Sequence, residues 1–301
     1  MKRGLKFISA VFAIIVIAGC AFIETKQGEW IFRPVQGEWR GYSRANATFQ
    51  EHWIPINATE KLHAWYAPAA DKNAPVLLYL HGARWNMTGS STRIPRWNKM
   101  GFSVLAIDYR GFGQSSSRTP SEASANEDAK VAWEYMKTIA PNHKRFIFGH
   151  SLGGAIATKL ALSHPDANGL ILEGTFTSIP DMMKEMKWGF LPVGFLVTQR
   201  FDTLDRIGEI TMPILFAHGT DDNIVPFGMS ERLFAAAKAS KRFFRAEGGN
   251  HHNLTSNYFD EYSRAVKEHF GLTMPTIASG SARVSSNGAL GSAMQVSQGA
   301  R

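Results

Sequence analysis

Short apolar runs alternate with longer segments of mixed polarity through the central part of the chain. Continuous apolar runs of this length are typical of strands that are buried on both faces of a parallel sheet. The predicted strands are centred on Val76–Leu80, Phe102–Ile107, Phe146–Phe148, Leu170–Leu172, Ile214–Phe216 and Phe243–Phe244. Because parallel strands need long crossover connections, the segments between these runs are expected to be helical.

The intervening segments place apolar residues at helical spacing. The predicted helices are Glu127–Ile139, Gly154–Leu162, Ser230–Ala239 and Tyr258–Phe270. Ahead of the first parallel strand, Pro55 and Asn57 predict a turn, which gives the sheet an antiparallel start. The alternation of strands and helices predicts an α/β fold with a doubly wound, mostly parallel sheet. With no internal repeat and no long linker, it is expected to form one domain.

The first twenty residues follow a different pattern. Three basic residues at positions 2–6 precede an apolar run from Phe7 to Ile17, and small residues follow. This order is typical of a secretory signal peptide, which we predict over residues 1–19. The sequence Ile17-Ala18-Gly19-Cys20 also resembles the bacterial lipobox, which implies cleavage before Cys20 and attachment of diacylglycerol to its thiol.

An uncleaved membrane anchor is the alternative for this segment, because the 17 residues from Phe7 to Ile23 reach the lower limit for a membrane span. In both cases the rest of the chain lies outside the cytoplasm. We therefore expect a membrane-anchored lipoprotein of the bacterial cell envelope, attached through Cys20 or through the amino-terminal segment.

Charge and composition argue against nucleic-acid binding, disulfide bonds and cysteine-based metal sites. The formal net charge of +8 favours nucleic acid or an acidic membrane as a partner. However, five of the 33 Lys and Arg residues lie in the signal peptide and in residues 275–301, which contain no acid, so the domain between carries about +3. We therefore expect no nucleic-acid partner. The single Cys excludes an intramolecular disulfide and Cys-clustered metal sites.

The carboxyl-terminal end, residues 275–301, is rich in Ser, Gly, Ala and Gln and has no sustained hydrophobic period. This composition predicts a disordered tail without a role in the chemistry. The globular domain is accordingly predicted to span residues 20–274.

The motif with the clearest chemistry is Gly149-His150-Ser151-Leu152-Gly153. It follows a predicted strand and precedes a predicted helix, which is the context that the Gly-x-Ser-x-Gly nucleophile motif requires. A serine hydroxyl needs a base, normally a His oriented by a carboxylate, before it becomes a good nucleophile. Two segments after Ser151 supply candidates: residues 218–226 contain two adjacent Asp residues, and residues 248–253 contain two adjacent His residues.

With these motifs in this order, the chain from about Trp30 to Phe270 resembles the α/β-hydrolase superfamily. The family pattern His-Gly-x-x-Asp-x-x-Val-Pro selects Asp222 as the acid, with Asp221 as the alternative. The family's Gly-rich approach to its base selects His251, with His252 as the alternative.

The resemblance also implies an oxyanion hole. The stretch Leu80-His81-Gly82-Ala83 is similar to the family's loop after the third strand, which assigns the backbone N–H groups of Ala83 and Leu152 to this role. The histidines at positions 81, 150 and 218 fall in family motifs as packing or loop-shaping residues. Residues 181–199, rich in Met and aromatic side chains, fall where the family inserts a lid, although ordinary packing against the sheet explains their composition equally well.

These features predict a membrane-tethered serine hydrolase that cleaves carboxylic esters or thioesters through a Ser151–His251–Asp222 triad and an acyl-enzyme. The expected partner is a small acyl ester, lipid-like in character, and neither a cofactor nor a metal is expected. A peptidase or amidase of the same fold is one alternative. A non-catalytic binding protein of this fold is the other.

Overall fold

The computed structural model describes residues 18–19, 21–23, 26–40, 42, 49–185 and 194–272. Eight strands form one sheet in the order β1-β2-β4-β3-β5-β6-β7-β8. The pairs β1–β2 and β2–β4 are antiparallel, and every other neighbouring pair is parallel. The strands are β1 Gln50–Pro55, β2 Lys61–Ala67, β3 Val76–Leu80, β4 Ser103–Ile107, β5 Arg145–His150, β6 Gly169–Glu173, β7 Ile214–Gly219 and β8 Lys241–Ala246.

Helices connect the parallel strands and cover both faces of the sheet. They are α1 Ile94–Lys99, α2 Glu122–Ile139, α3 Leu152–Ser163, α4 Ile179–Lys184, α5 Thr203–Ile207, α6 Phe227–Ala236, α7 Leu254–Asn257 and α8 Phe259–Phe270, with short 3₁₀ turns at Thr88–Ser90 and Gly194–Leu196. Residues 26–32 are also helical.

The central strands are buried on both faces. In β3, Leu78 and Leu80 belong to the apolar cluster on one face, whereas Leu77 and Tyr79 belong to the cluster on the other. Because successive side chains of a strand point to opposite faces, a strand with two buried faces has to be apolar at every position. This explains the continuous apolar runs, and the predicted doubly wound, mostly parallel sheet is confirmed.

The structure also confirms the antiparallel start and corrects the bounds of two helices. Helix α2 begins five residues earlier than predicted, because Ser121 caps it and exchanges hydrogen bonds with Ser124. Helix α6 begins at Phe227 and ends at Ala236, short of the predicted Ala239. The Lys241 ammonium group donates to the carbonyl oxygens of Phe234 and Ala237, which satisfies acceptors at this helix end.

Several sequence predictions fall outside the described residues. These are the signal peptide apart from residues 18–19, the lipid attachment at Cys20, the tail at residues 275–301, and residues 186–193 of the expected lid. The described part of that lid consists of α4 and the turn Gly194–Leu196. Among the described residues, none of the helices combines the length and the apolar character needed to cross a bilayer.

A buried ion pair ties the turn after β4 to helix α2. The Nε of Arg110 donates to Asp128 Oδ1 at 2.7 Å, and the backbone N–H of Arg110 donates to Asp128 Oδ2 at 2.8 Å. Both side chains are buried. Arg110 also pairs with Glu60 at 2.7 Å and with Glu127, which is half exposed.

Removal of Asp128 should therefore destabilise the fold much more than removal of Glu127. We expect Asp128→Ala to lower the free energy of unfolding by about 3 kcal/mol, because Arg110 loses its buried partner. Glu127→Gln is the control and should cost at most about 1 kcal/mol, since that carboxylate is exposed to solvent. Urea titration followed by circular dichroism measures both, and equal losses would contradict the assigned importance of the buried pair.

Candidate active site

Ser151 occupies the sharp turn between strand β5 and helix α3. Its backbone angles are φ 55° and ψ −120°, a conformation that a non-glycine residue adopts only where the surrounding structure enforces it. The N–H of Ser151 donates to the carbonyl of Glu173 at the end of β6, at 2.9 Å. The turn thereby presents the serine at the carboxyl edge of the parallel strands, where open α/β sheets place their sites.

The glycines around Ser151 are required by close contact. A Cβ on Gly149 would collide with the backbone of Gly153, and one on Gly153 would collide with the carbonyl of Leu80. A Cβ on Gly82 would lie 3.1 Å from the Cβ of Ser151, so the loop after β3 runs directly past the serine. Side chains at these positions would push the turn away from the sheet.

Asp222 and His251 meet at the ends of strands β7 and β8. The Nδ1–H of His251 donates to Asp222 Oδ2 at 2.6 Å, and both side chains are buried. Since Nδ1 carries the proton, Nε2 of this tautomer keeps a free lone pair. Of the two Asp candidates, Asp222 is the one paired with a histidine, whereas Asp221 is exposed.

Four donors surround the Asp222 carboxylate. Its Oδ1 accepts from the backbone N–H groups of Ile224 and Val225 at 2.8 and 2.9 Å. Nε2 of His218 lies 3.0 Å from Oδ2, the oxygen that His251 also binds. Burial acts to raise the pKa of Asp222, but the hydrogen bonds from His218 and His251 outweigh it and hold this pKa below its usual range. Asp222 is therefore an anion at neutral pH.

His218 is itself held in one orientation. Nε2 faces two acceptors, Asp222 Oδ2 and the carbonyl of Val225 at 2.9 Å, so it carries the proton. Nδ1 lies 2.6 Å from the hydroxyl oxygen of Ser230, which also contacts the carbonyl of Thr175. His218, predicted to be a packing or loop-shaping residue, thus contacts both the loop at Val225 and the carboxylate of Asp222.

Two other histidines flank His251. His150 donates through Nε2 to the backbone carbonyl of His251 at 2.9 Å, and His252 stacks on Trp85 with ring centroids 4.5 Å apart. Burial, together with the positive charge of Arg93, holds the pKa of His150 well below its usual range. Partial burial lowers the pKa of His252 to about 4, and the positive charge of Arg93 acts in the same direction. Both flanking rings are neutral near pH 7.

Ser151 and His251 line one cavity of about 510 Å³. Its wall includes the apolar side chains Trp30, Ile31, Trp85, Met182 and Ile224. Residues 26–32 and helix α4 therefore both contribute to the cavity, the latter through Met182. Among the described residues of the predicted lid, Met182 lies at the site.

The two residues predicted to form the oxyanion hole lie close to Ser151 in the fold or in the chain. Ala83 lines the cavity, and Leu152 is the first residue of α3, where N–H groups have no acceptor within the helix. Within the described chain, neither N–H finds a backbone acceptor. The assignment of these two amides to the oxyanion hole remains a prediction.

Known proteins with similar sequences belong to the superfamily that the sheet and the serine turn indicate. A model of the family "Serine aminopeptidase, S33" matches residues 71–203. The α/β hydrolase domain-containing protein WAV2 of Arabidopsis thaliana is 30% identical over 258 residues, which cover 77% of this chain and 83% of the relative. The chain belongs to the α/β-hydrolase superfamily.

Two further likenesses are to a lipase and to an esterase. The lysophosphatidylserine lipase ABHD12 of Rattus norvegicus is 30% identical over 258 residues, covering 74% of this chain and 64% of that protein. The solved esterase Pf2001 of Pyrococcus furiosus superposes with a TM-score of 0.64 at 17% identity, covering 79% of this chain and 98% of the esterase. The first supports a hydrolase, and the second supports the fold.

Three histidines of this α/β-hydrolase lie close enough together to share a metal ion. His150, His251 and His252 each offer a nitrogen, and these atoms lie within 4.8 Å of one another. However, the positive charge of Arg93 acts on His150 and His252, which opposes a cation at this place. The expectation of a metal-free and cofactor-free site remains a prediction.

Some residues of the site have no signature in the sequence. Gly174 has a φ of 58°, and a Cβ there would lie 3.1 Å from Nδ1 of His251 and 3.6 Å from Asp222 Oδ2. Arg93 reaches the cavity from the loop before α1. Neither residue belongs to a motif, and contacts between distant segments alone identify them.

Gly174→Ala should disturb the site far more than the stability of the fold. The left-handed backbone costs about 1 kcal/mol for an alanine, and the new methyl group displaces His251. We expect labelling of Ser151 by a fluorophosphonate probe to slow about a hundredfold.

The matched control is Gly271→Ala. Gly271 has a φ of 60°, and a Cβ there would meet nothing within 4 Å. It should lose similar stability, measured by thermal unfolding, and keep the wild-type labelling rate. Equal labelling rates for the two variants would contradict the contact between position 174 and the histidine.

Proposed function

We propose that this α/β-hydrolase is a serine hydrolase that cleaves carboxylic esters or thioesters through a covalent acyl-enzyme. The observation that supports it most strongly is that a serine, a histidine and a carboxylate come together at one cavity. Ser151 on its enforced turn and His251, hydrogen-bonded to an ionised Asp222, both line the same cavity. A protein that only binds a ligand has no need for this arrangement.

In the proposed mechanism, Nε2 of His251 accepts the proton of the Ser151 hydroxyl while the serine oxygen attacks the acyl carbon. Asp222 holds the tautomer and stabilises the imidazolium that forms. The tetrahedral intermediate collapses, His251 returns the proton to the leaving alcohol or thiol, and the acyl group remains on Ser151. His251 then takes a proton from a water molecule that attacks the acyl carbon of the Ser151 ester. The bond to the Ser151 oxygen breaks, His251 returns the proton to that oxygen, and the carboxylic acid leaves.

The N–H groups of Ala83 and Leu152 are the proposed donors to the oxyanion. A donor of this kind contributes about 3 kcal/mol to transition-state stabilisation, because it is fixed before the charge develops. The contact between Gly82 and Ser151 sets the distance between the two loops that carry these donors.

The apolar wall of the cavity supports an acyl chain as part of the substrate. Relatives named as lipases support a lipid-like ester in the same way. We further propose that Cys20 carries a lipid that tethers the domain to the outer side of a bacterial membrane, where such substrates occur.

A second candidate function is suggested by the name of the matching family, serine aminopeptidase. An aminopeptidase has to bind the positively charged amino terminus of its substrate, which calls for a carboxylate near the serine. The described residues that line the cavity include three arginines, Arg33, Arg84 and Arg93, and no Asp or Glu. This charge distribution disfavours a cationic substrate and supports the esterase.

Activity-based labelling tests the proposal. A fluorophosphonate probe should modify the wild-type protein at Ser151, and Ser151→Ala should abolish the reaction. On a panel of acyl esters, thioesters and aminoacyl amides, the esters and thioesters should be turned over, and His251→Gln should lower kcat on the order of 10⁴-fold or more. Undiminished turnover by Ser151→Ala, or turnover of the amides alone, would refute the assignment.

The pH profile separates the two adjacent histidines. Because the pKa of His252 is lowered to about 4, this ring stays neutral above that pH and cannot cause a loss of activity between about pH 5 and 8. His252→Gln should therefore leave the position of the acid limb of kcat/KM unchanged. A shift of the limb by more than about half a pH unit would show that His252 titrates in this range.

A further inference from the structure

His150 lies where three segments of the site meet. It is the last residue of β5 and precedes Ser151, and its Nε2 lies 2.9 Å from the backbone carbonyl of His251. A Cβ on Gly82 would lie 3.3 Å from its Nδ1, so the loop after β3 passes next to the same ring. The side chain is buried and contributes to the wall of the cavity. The proposed mechanism leaves its second nitrogen without a role.

The tautomer of His150 follows from its surroundings. A carbonyl oxygen only accepts hydrogen bonds, so the proton of the neutral ring lies on Nε2, which faces the carbonyl of His251. Burial and the positive charge of Arg93 hold the pKa of this ring well below its usual range, so a second proton is absent near pH 7. Nδ1 therefore keeps a free lone pair that accepts a hydrogen bond.

Nδ1 of His150 is accessible from the cavity. Within the described part of the chain it has no hydrogen-bond partner, and it is not sealed in the interior, as Nε and Nη1 of Arg93 are. Gly82, which also lines the cavity, has no side chain to cover it. Because an unpaired acceptor is unfavourable away from water, this nitrogen calls for a donor that enters through the cavity.

Hydrolysis of the acyl-enzyme brings a water molecule to this place. One of its hydrogens passes to Nε2 of His251, and the other needs an acceptor while the oxygen attacks the acyl carbon. A ring nitrogen of His150 and a ring nitrogen of His251 lie within 4.8 Å of each other, and the ring centroids are 4.7 Å apart. A water that donates two hydrogen bonds of ordinary length joins acceptors about 4.5 Å apart. The two rings are thus spaced to share one water.

We propose that Nδ1 of His150 accepts the second hydrogen of the water that hydrolyses the acyl-enzyme, and so directs the water oxygen at the acyl carbon. This inference rests on the proposed serine-hydrolase function. The first hydrogen passes to Nε2 of His251 as the oxygen bonds to the acyl carbon, and the second stays with the carboxylic acid. The bond to the Ser151 oxygen then breaks, and that oxygen takes the proton from His251. His150 itself neither gains nor loses a proton.

Two substitutions separate the two nitrogens of His150. The amide nitrogen of glutamine falls at the position of Nε2, so His150→Gln keeps a donor to the carbonyl of His251 and removes the acceptor at Nδ1. The amide oxygen of asparagine falls at the position of Nδ1, so His150→Asn keeps the acceptor and loses the donor. His143→Gln is the matched control, because Nε2 of His143 also faces a backbone carbonyl, that of Lys72 at 2.8 Å, and His143 lies outside the cavity lining.

Burst kinetics of the full-length protein with p-nitrophenyl octanoate separate acylation from deacylation. Because water enters only in deacylation, His150→Gln should lower kcat and KM together about tenfold, as the loss of one hydrogen bond implies. Its kcat/KM and its rate of fluorophosphonate labelling should stay within about threefold of wild type, since both report on acylation. The burst of p-nitrophenol should rise towards one per Ser151, and His143→Gln should match wild type throughout.

Methanol provides a measurement that a general structural defect would not change. Its single O–H hydrogen goes to His251, so its attack on the acyl-enzyme needs no acceptor at Nδ1 of His150. In water with added methanol, His150→Gln should therefore raise the ratio of methyl octanoate to octanoic acid about tenfold over wild type and over His143→Gln. His150→Asn should keep the wild-type ratio even if its labelling is slower, because the acceptor remains.

The outcomes distinguish this inference from the proposed function. A wild-type product ratio in His150→Gln, or equal losses of labelling and of deacylation, would overturn the role of Nδ1 and leave the hydrolase intact. Failure of the wild-type protein to label at Ser151 would reject the hydrolase itself. If circular dichroism shows that His150→Gln does not fold, His150→Ala, which lacks both nitrogens, should give the same rise in the product ratio, and an unchanged ratio would overturn the proposal.

Discussion

The turn at Ser151 is the constraint on which the rest of the site depends. A non-glycine residue at φ 55° is strained, and it persists because the flanking glycines let the chain pack directly against neighbouring backbone. Through that packing, the loop carrying Gly82 and Ala83 comes next to the serine, and α3 begins directly after it. The parallel sheet supplies the rigid support, because β5 lies between β3 and β6 and is buried on both faces.

Buried charges and their hydrogen bonds hold the side chains of the site in place. Asp222 remains ionised despite burial because two histidines and two backbone amides share its oxygens, and that charge selects the tautomer of His251. Arg93 and the carboxylate of Glu173 form another buried ion pair close by. The backbone carbonyl of Glu173 accepts a hydrogen bond from the N–H of Ser151. Ser151, His251 and the cavity wall are thus each held by a small number of polar contacts, so small displacements should affect the site before they affect the fold.

Much of this architecture follows from local sequence. The apolar runs identified the parallel strands because two buried faces leave no polar position, and the Gly-x-Ser-x-Gly motif identified Ser151 because its turn needs small neighbours. The choice between Asp221 and Asp222 depended on motif register, and the structure pairs Asp222 with His251. Local sequence does not identify His218, Gly174 or Arg93 as residues of the site, since each of them contacts segments that are distant along the chain. The predicted start of α2 and the predicted end of α6 were wrong, because capping by Ser121 and by Lys241 determines where these helices begin and end.

The covalent intermediate is the most direct test of the account, which centres on Ser151 as an acylated nucleophile. Rapid-quench mass spectrometry of the protein with a slowly deacylating ester would measure it, followed by peptide mapping. The account predicts a mass increase of one acyl group, located on the peptide that contains Ser151 and lost when turnover is complete. Ester hydrolysis without an acylated protein, or acylation of another residue at the same rate in Ser151→Ala, would contradict it.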